Sequence, residues 1–202
     1  MACYHPIDCW RVPDASSKSG YRIVFGSPAS PPARGAEPCT IPCGKCIGCR
    51  LAHSRQWAVR CVHEASLHER NCFLTLTFDD AHLPVSGSVS VRDVQLFLKR
   101  LRKALSYQNI KIRFFACGEY GDKNLRPHYH LIIFNYDFSD DRQLLRQTPY
   151  GPLYISDFLF SLWPYGFHTI GNVTFKSCAY VARYATKKVY GKDAPAHYQG
   201  RT

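Results

Sequence analysis

The stretch IKIRFFACGEYGDKNLRPHYHLIIF, residues 110–134, decides how the chain is read. Two apolar runs flank the turn-rich GDKNLRP, so the spacing predicts two strands with a short connection, and therefore antiparallel neighbours. Successive side chains in a strand alternate between faces. His128 and His130 then share one face, while Tyr129, Leu131 and Ile133 take the other and suit a core beneath helices. Glu119 has the parity of Phe115 and Cys117 and lies close to the turn. Two imidazoles and a carboxylate are thereby expected to converge at one end of a sheet. Such an open set of donors suits Mg2+ or Mn2+, with water or substrate oxygens completing the shell. A His-x-His pair in a strand is more often incidental, so it needs independent support.

Outward from that hairpin, CFLTLTF at 72–78 alternates, with Leu74, Leu76 and Phe78 on one side and Phe73, Thr75 and Thr77 on the other. Ser90 followed by Asp93 reads as a capping box, and Val94, Phe97, Leu98, Leu101 and Leu105 recur at helical spacing. The proline-free segment 46–69 predicts another helix, and 137–147 a polar connection. A short helix over 156–162 should end at Pro164, followed by a last strand in GFHTIGNVTF (166–175) and a closing helix in KSCAYVARYATKKVY (176–190). From residue 72 the expected order is β-α-β-β-α-β-α. That order predicts an α+β, ferredoxin-like domain: a central antiparallel sheet, helices on one face and a terminal tyrosine-bearing helix. Residues 11–38, rich in Pro, Ser and Gly, are expected to be mostly loop with a short strand at 21–25. The expected organisation is a cysteine-rich segment at 1–50 and a main domain at 51–202.

The closing helix supplies the independent support. Tyr180 and Tyr184 are four residues apart, so both hydroxyls occupy one helix face, and each is followed three residues later by a cation, Arg183 and Lys187. A phenol is a poor nucleophile unaided. A neighbouring cation and a metal-polarised phosphodiester would make attack feasible. The bland alternative is a helix that uses tyrosine rings only for packing.

Composition bounds the partners. With 26 Lys and Arg against 15 Asp and Glu, the 202-residue chain carries a formal charge of +11. That excess favours a polyanion, because each cation that neutralises a phosphate releases a condensed counterion. Aromatic residues make up 14% of the chain and point to single-stranded nucleic acid, whose bases can stack on them. No apolar run approaches a membrane span and no signal core opens the chain. A soluble, intracellular protein without a membrane partner is expected, and a monomer, since no heptad seam stands out. Ten cysteines in such a setting argue for metal rather than a disulfide framework.

The motifs resemble a known family. His-hydrophobic-His on a strand, an upstream acidic residue and paired tyrosines on a later helix look like an HUH endonuclease, the superfamily of rolling-circle replication initiators and relaxases. IPCGKCIGCRLAHSRQWAVRC, the early MACYHP, and ACGEYGDKNLRPHYHLIIF resemble the two-tyrosine replication initiators of gokushovirus-type Microviridae phages. The resemblance implies that His128, His130 and Glu119 hold the metal, that Tyr180 and Tyr184 are nucleophiles, and that Lys187 assists them. Arg183, Lys188 and Arg126 are assigned to DNA binding. Arg183 stands where a lysine is more usual and can act only as a fixed charge. The implied reaction is transesterification of single-stranded phage origin DNA in the cytoplasm of a bacterial host, with host helicase and polymerase as further partners. Family members usually continue beyond the paired tyrosines, so a truncated form is expected.

Cys43-x2-Cys46-x2-Cys49 needs a fourth ligand for a tetrahedral site. Cys3 is favoured by the resemblance and Cys39 by proximity. Zn2+ is the first expectation and an iron–sulfur cluster the main rival. Three other readings compete for the whole chain: a zinc-stapled module that binds single-stranded nucleic acid without catalysis, a nuclease that activates water, and a relaxase or single-tyrosine transposase that needs only one of the two tyrosines.

Overall fold

In a computed structural model the structure describes residues 3–26, 30–121 and 124–185. The chain is α+β, with two antiparallel sheets and four helices among the described residues. It divides into two compact units, Met1–His53 and Ser54–Thr202.

The first unit holds β1 (Ile7–Pro13), β2 (Tyr21–Phe25) and β3 (Glu37–Ile41) in the order β2-β1-β3. The strand at 21–25 lies where the sequence placed it. The other two were not expected, and they overlap the expected loop only at its ends, 11–13 and 37–38. Their composition hid them: Pro38 sits on an edge strand and Pro13 at a strand end, the places where a missing N–H is tolerated. Trp10 and Val12 bury one face of the small sheet.

Helix α1 (Ile47–Ser66) spans the boundary between the units. The second unit then runs β4 (Asn71–Thr77), α2 (Val91–Ser106), β5 (Arg113–Tyr120), β6 (Pro127–Phe134), β7 (Gln143–Thr148), β8 (Gly151–Ile155), α3 (Asp157–Leu162), β9 (His168–Gly171) and α4 (Phe175–Ala185). Its six strands lie in the order β5-β6-β4-β9-β8-β7, antiparallel at every pairing. The β7–β8 hairpin is a correction, because the sequence reading left 137–147 as a connection. QLLRQT lies at the sheet edge, almost wholly exposed, so its strand needs no apolar alternation for a sequence pattern to reveal.

The alternation of β4 is as expected: Cys72, Leu74 and Leu76 are buried on the face of Tyr129, Leu131 and Ile133. Phe97, Leu98, Leu101 and Leu105 of α2, and Leu159 and Leu162 of α3, pack on that face. The packing differs from the one-sided expectation in one respect. Besides α4, the later turns of α1 cover part of the opposite face. Ala58, Cys61, Cys178, Val181 and Ala182 bury Ile132 and Phe134, and Trp57 stacks on Phe115 at 5.3 Å. The reason is legible in β6, where Ile132 and Phe134 continue the histidine face as apolar residues that water would penalise.

The capping box of α2 closes through the sheet. Ser90 accepts from the Arg92 N–H, while its own N–H donates to the Tyr129 hydroxyl at 2.8 Å. That hydroxyl donates in turn to Asp93 Oδ2 at 2.7 Å. Asp93 thus satisfies the Ser90 N–H by way of Tyr129, and the residue between the two histidines is tied to the start of α2.

Candidate active site

β5 and β6 set the site by register: Glu119 faces His128, and Cys117 faces His130. The carboxylate and both rings therefore share one face, as the parity predicts. Glu119 Oε2 lies 3.5 Å from His128 Nε2 and 3.4 Å from His130 Nε2, and one ligand atom from each of the three lies within 4.8 Å of the others. Glu119 and His130 are buried and His128 is partly so.

The outer ring nitrogens explain why the inner ones converge. His128 Nδ1 meets the Arg126 carbonyl at 3.2 Å; a carbonyl only accepts, so Nδ1 donates there and Nε2 is the nitrogen turned toward Glu119. His130 Nδ1 meets the Thr75 hydroxyl at 3.1 Å, with Phe73 stacked on its ring at 5.5 Å. Burial lowers the pKa of His130, so the ring is neutral. Its buried Nε2 has no hydrogen-bond partner among the described residues. A neutral imidazole lone pair aimed at a carboxylate oxygen is costly unless a cation lies between them. The donor set, two imidazoles and one carboxylate, therefore fits a divalent ion with open positions for substrate.

Helix α4 brings the tyrosines over this cluster. The Tyr180 hydroxyl donates to Glu119 Oε2 at 3.3 Å, and Tyr184 also bonds that carboxylate. Their rings are 4.8 Å apart, and both lie beside His130, at 5.0 Å and 6.5 Å. Burial of Glu119 pushes its carboxyl up, but the adjoining His130 ring, the Tyr184 hydroxyl and the nearby His128 imidazole outweigh that and hold it below its usual range. Both phenols are raised by burial and by the Glu119 carboxylate; Tyr180 raises Tyr184 further, whereas the hydrogen bond with Tyr184 offsets part of the rise at Tyr180.

The other expected site residues fall differently. Arg126 has its guanidinium on Asp80 and on the Phe78 carbonyl, so it joins the hairpin to the end of β4. Arg183 is exposed on α4. Lys187 and Lys188 lie outside the described residues. Thr75 and Phe73 were not singled out as site residues. Their shared parity on β4 was visible, but only the pairings Thr75–His130 and Thr77–His128 show that this face borders the histidines.

In the first unit Cys3, Cys43, Cys46 and Cys49 bring their sulfurs within 4.8 Å of one another, with Cys3 to Cys46 at 3.8 Å and Cys43 to Cys49 at 4.0 Å. Sulfurs on one tetrahedral zinc would stand about 3.8 Å apart, from a Zn–S bond near 2.3 Å. Cys39 sits elsewhere, its sulfur 3.1 Å from that of Cys9 across β1 and β3. Geometry therefore selects Cys3 over Cys39. N–H groups of Cys49 and Tyr4 lower the Cys46 thiol to about 6, and those of Cys46 and Lys45 lower Cys43. Cys49 is pushed up to about 12 by desolvation and by its neighbouring sulfurs. The residues fit a thiolate-bound metal.

Fold and site bear on what the chain is related to. It belongs to the family of the Replication-associated protein ORF2, whose profile matches residues 71–189, a span containing every carboxylate, histidine and tyrosine of the site. It is similar to Replication-associated protein VP4 of Bdellovibrio phage phiMH2K, 43% identical over 165 residues that cover 78% of this chain and 52% of that protein. Replication-associated protein ORF2 of Spiroplasma virus 4 is 37% identical across 78% of this chain and 51% of its own length. Replication-associated protein ORF4 of Chlamydia phage 1 is 37% identical across 76% and 40%. The chain thus spans about half the length of the first two relatives and less of the third. No solved structure matches. The resemblance to phage replication proteins read from the motifs holds, and no described helix is long and apolar enough to cross a membrane.

Proposed function

We propose that this protein is a replication initiator that nicks single-stranded phage origin DNA by tyrosine transesterification, and that its site is of the two-tyrosine HUH type. The observation that carries this reading is the convergence of Tyr180 and Tyr184 on Glu119, itself faced by His128 and His130. Mg2+ or Mn2+ bound by Glu119, His128 and His130 would polarise the phosphodiester and offset the carboxylate charge that, after burial, helps to raise the phenols.

One tyrosine oxygen attacks phosphorus, the P–O3′ bond breaks, and the phenol proton passes to the departing oxygen. The products are a 5′-phosphotyrosine link and a free 3′-hydroxyl. The second tyrosine, on the same helix face, cuts the regenerated origin, and the 3′-hydroxyl attacks the first link to close the released strand. Arg183, Lys187 and Lys188 supply fixed positive charge for the backbone phosphates, and Arg126 orients the hairpin that carries His128. In the first unit Zn2+ bound by Cys3, Cys43, Cys46 and Cys49 would act as a staple. The setting is the cytoplasm of a bacterial host, with a host helicase separating the strands and a host polymerase extending the 3′ end.

The test incubates the protein with Mn2+ and a library of single-stranded DNA and looks for a denaturation-resistant adduct. An adduct lost only when both Tyr180 and Tyr184 are phenylalanine is expected. An adduct that survives the double substitution overturns the assignment. Cleavage without adduct favours water activation, and binding without cleavage a non-catalytic module.

A further inference from the structure

The face that carries the histidines continues beyond them. Thr75 pairs with Thr169 and Leu76 with His168 across β4 and β9. The Thr77 N–H and hydroxyl both donate to the Phe167 carbonyl, at 2.9 Å and 2.7 Å. The register therefore extends one residue past the strand and sets Phe167 opposite Thr77. On its other side Thr77 pairs with His128. Phe167, Thr77 and His128 share parity on three adjacent backbones, a span of about 10 Å at ordinary strand spacing.

The segment bearing Phe167 is firmly held. Trp163, wholly buried, donates its indole N–H to the Thr77 carbonyl at 2.8 Å, and the Asp79 N–H donates to the Tyr165 carbonyl at 2.9 Å. A Cβ at Gly166 would collide with the Asp79 nitrogen and the Phe78 carbonyl carbon, so only glycine lets the chain approach β4 this closely. Between these anchors the Phe167 side chain is left 57% exposed. A single exposed apolar residue is ordinary. One whose backbone is held on both sides, on the face of the Glu119, His128 and His130 cluster and two strands from it, presents an aromatic ring from a fixed position in the sheet.

We propose that Phe167 stacks on a nucleobase flanking the phosphodiester at the site, and so positions single-stranded DNA across the sheet. The flanking position rests on the DNA-nicking reading above; the stacking is read separately. Bases offer π faces irrespective of sequence, and the net charge of +11 supplies the complementary attraction for phosphates.

The test measures binding by fluorescence anisotropy, without added divalent metal, to labelled oligo-dT of about 20 nucleotides and to a fully abasic strand of the same length, long enough to cross one site. Phe167→Ala is expected to weaken oligo-dT binding about tenfold, with Phe167→Trp within about twofold of the unaltered protein, and neither change should move binding of the abasic strand. Equal binding of oligo-dT by Phe167→Ala overturns the proposal, as does an equal loss on the abasic strand or failure of tryptophan to rescue. Should the unaltered protein form no adduct with Mn2+ while this pattern holds, the nicking reading falls and the stacking stands. The reverse result removes the stacking alone.

Discussion

Thr75 and Gly166 show how much of the site depends on single side chains that carry no chemistry. The Thr75 hydroxyl fixes the His130 ring through Nδ1 and leaves Nε2 aimed at Glu119. Thr75→Val keeps the shape and removes that partner; Mn2+ affinity measured by titration calorimetry is expected to fall about tenfold, and Thr75→Ser to restore it. Gly166→Ala forces a methyl into the end of β4. It should cost about 2 kcal/mol in urea unfolding, whereas Phe167→Ala, which alters an exposed ring, should cost little.

Elements are held to one another by polar bridges whose loss is felt at a distance. Tyr129 links β6 to α2 by accepting from the Ser90 N–H and donating to Asp93. Tyr129→Phe leaves a backbone donor and a carboxylate without that partner, and a loss of about 1–3 kcal/mol is expected in denaturant unfolding. The start of α3 depends on a neutral histidine: the buried Ser156 N–H donates to His168 Nε2 at 3.2 Å. Burial lowers the pKa of His168 below its ordinary 6.5. The unfolded chain then binds the proton more readily, so this contribution is complete above pH 6.5 and is lost as the pH falls through the folded value. The melting temperature should drop on acidification below about pH 6.5, with a smaller drop in His168→Gln, whose amide oxygen can still accept.

At the scale of the whole molecule two clusters able to hold a metal ion fall in two compact units. The cysteine cluster lies within Met1–His53 and the Glu119, His128 and His130 cluster within Ser54–Thr202. Small units with little apolar core depend on metal for folding. Treatment with a strong zinc chelator is therefore expected to raise proteolytic cleavage within the first 53 residues while the strands of the second unit keep their hydrogen-exchange protection. Equal loss in both units would show that the second also depends on the thiolates.

The sequence by itself determined the hairpin of β5 and β6, the parity of Glu119 with the histidines, the amphipathic α2 and the spacing of Tyr180 and Tyr184. Each follows from periodicity along the chain: two residues per strand repeat, about 3.6 per helical turn. Tertiary structure alone decided the rest. The β7–β8 hairpin has no apolar period to betray it, since it lies exposed at an edge. The choice of Cys3 over Cys39 depended on β1 pairing Cys39 with Cys9. Thr75 reaches His130 through the pairing of β4 with β6, and Phe167 reaches that face through its bonds to Thr77; partners in a sheet are chosen by contacts between residues far apart in the chain. A local pattern tells which way a side chain points. Only the assembled sheet tells what it points at.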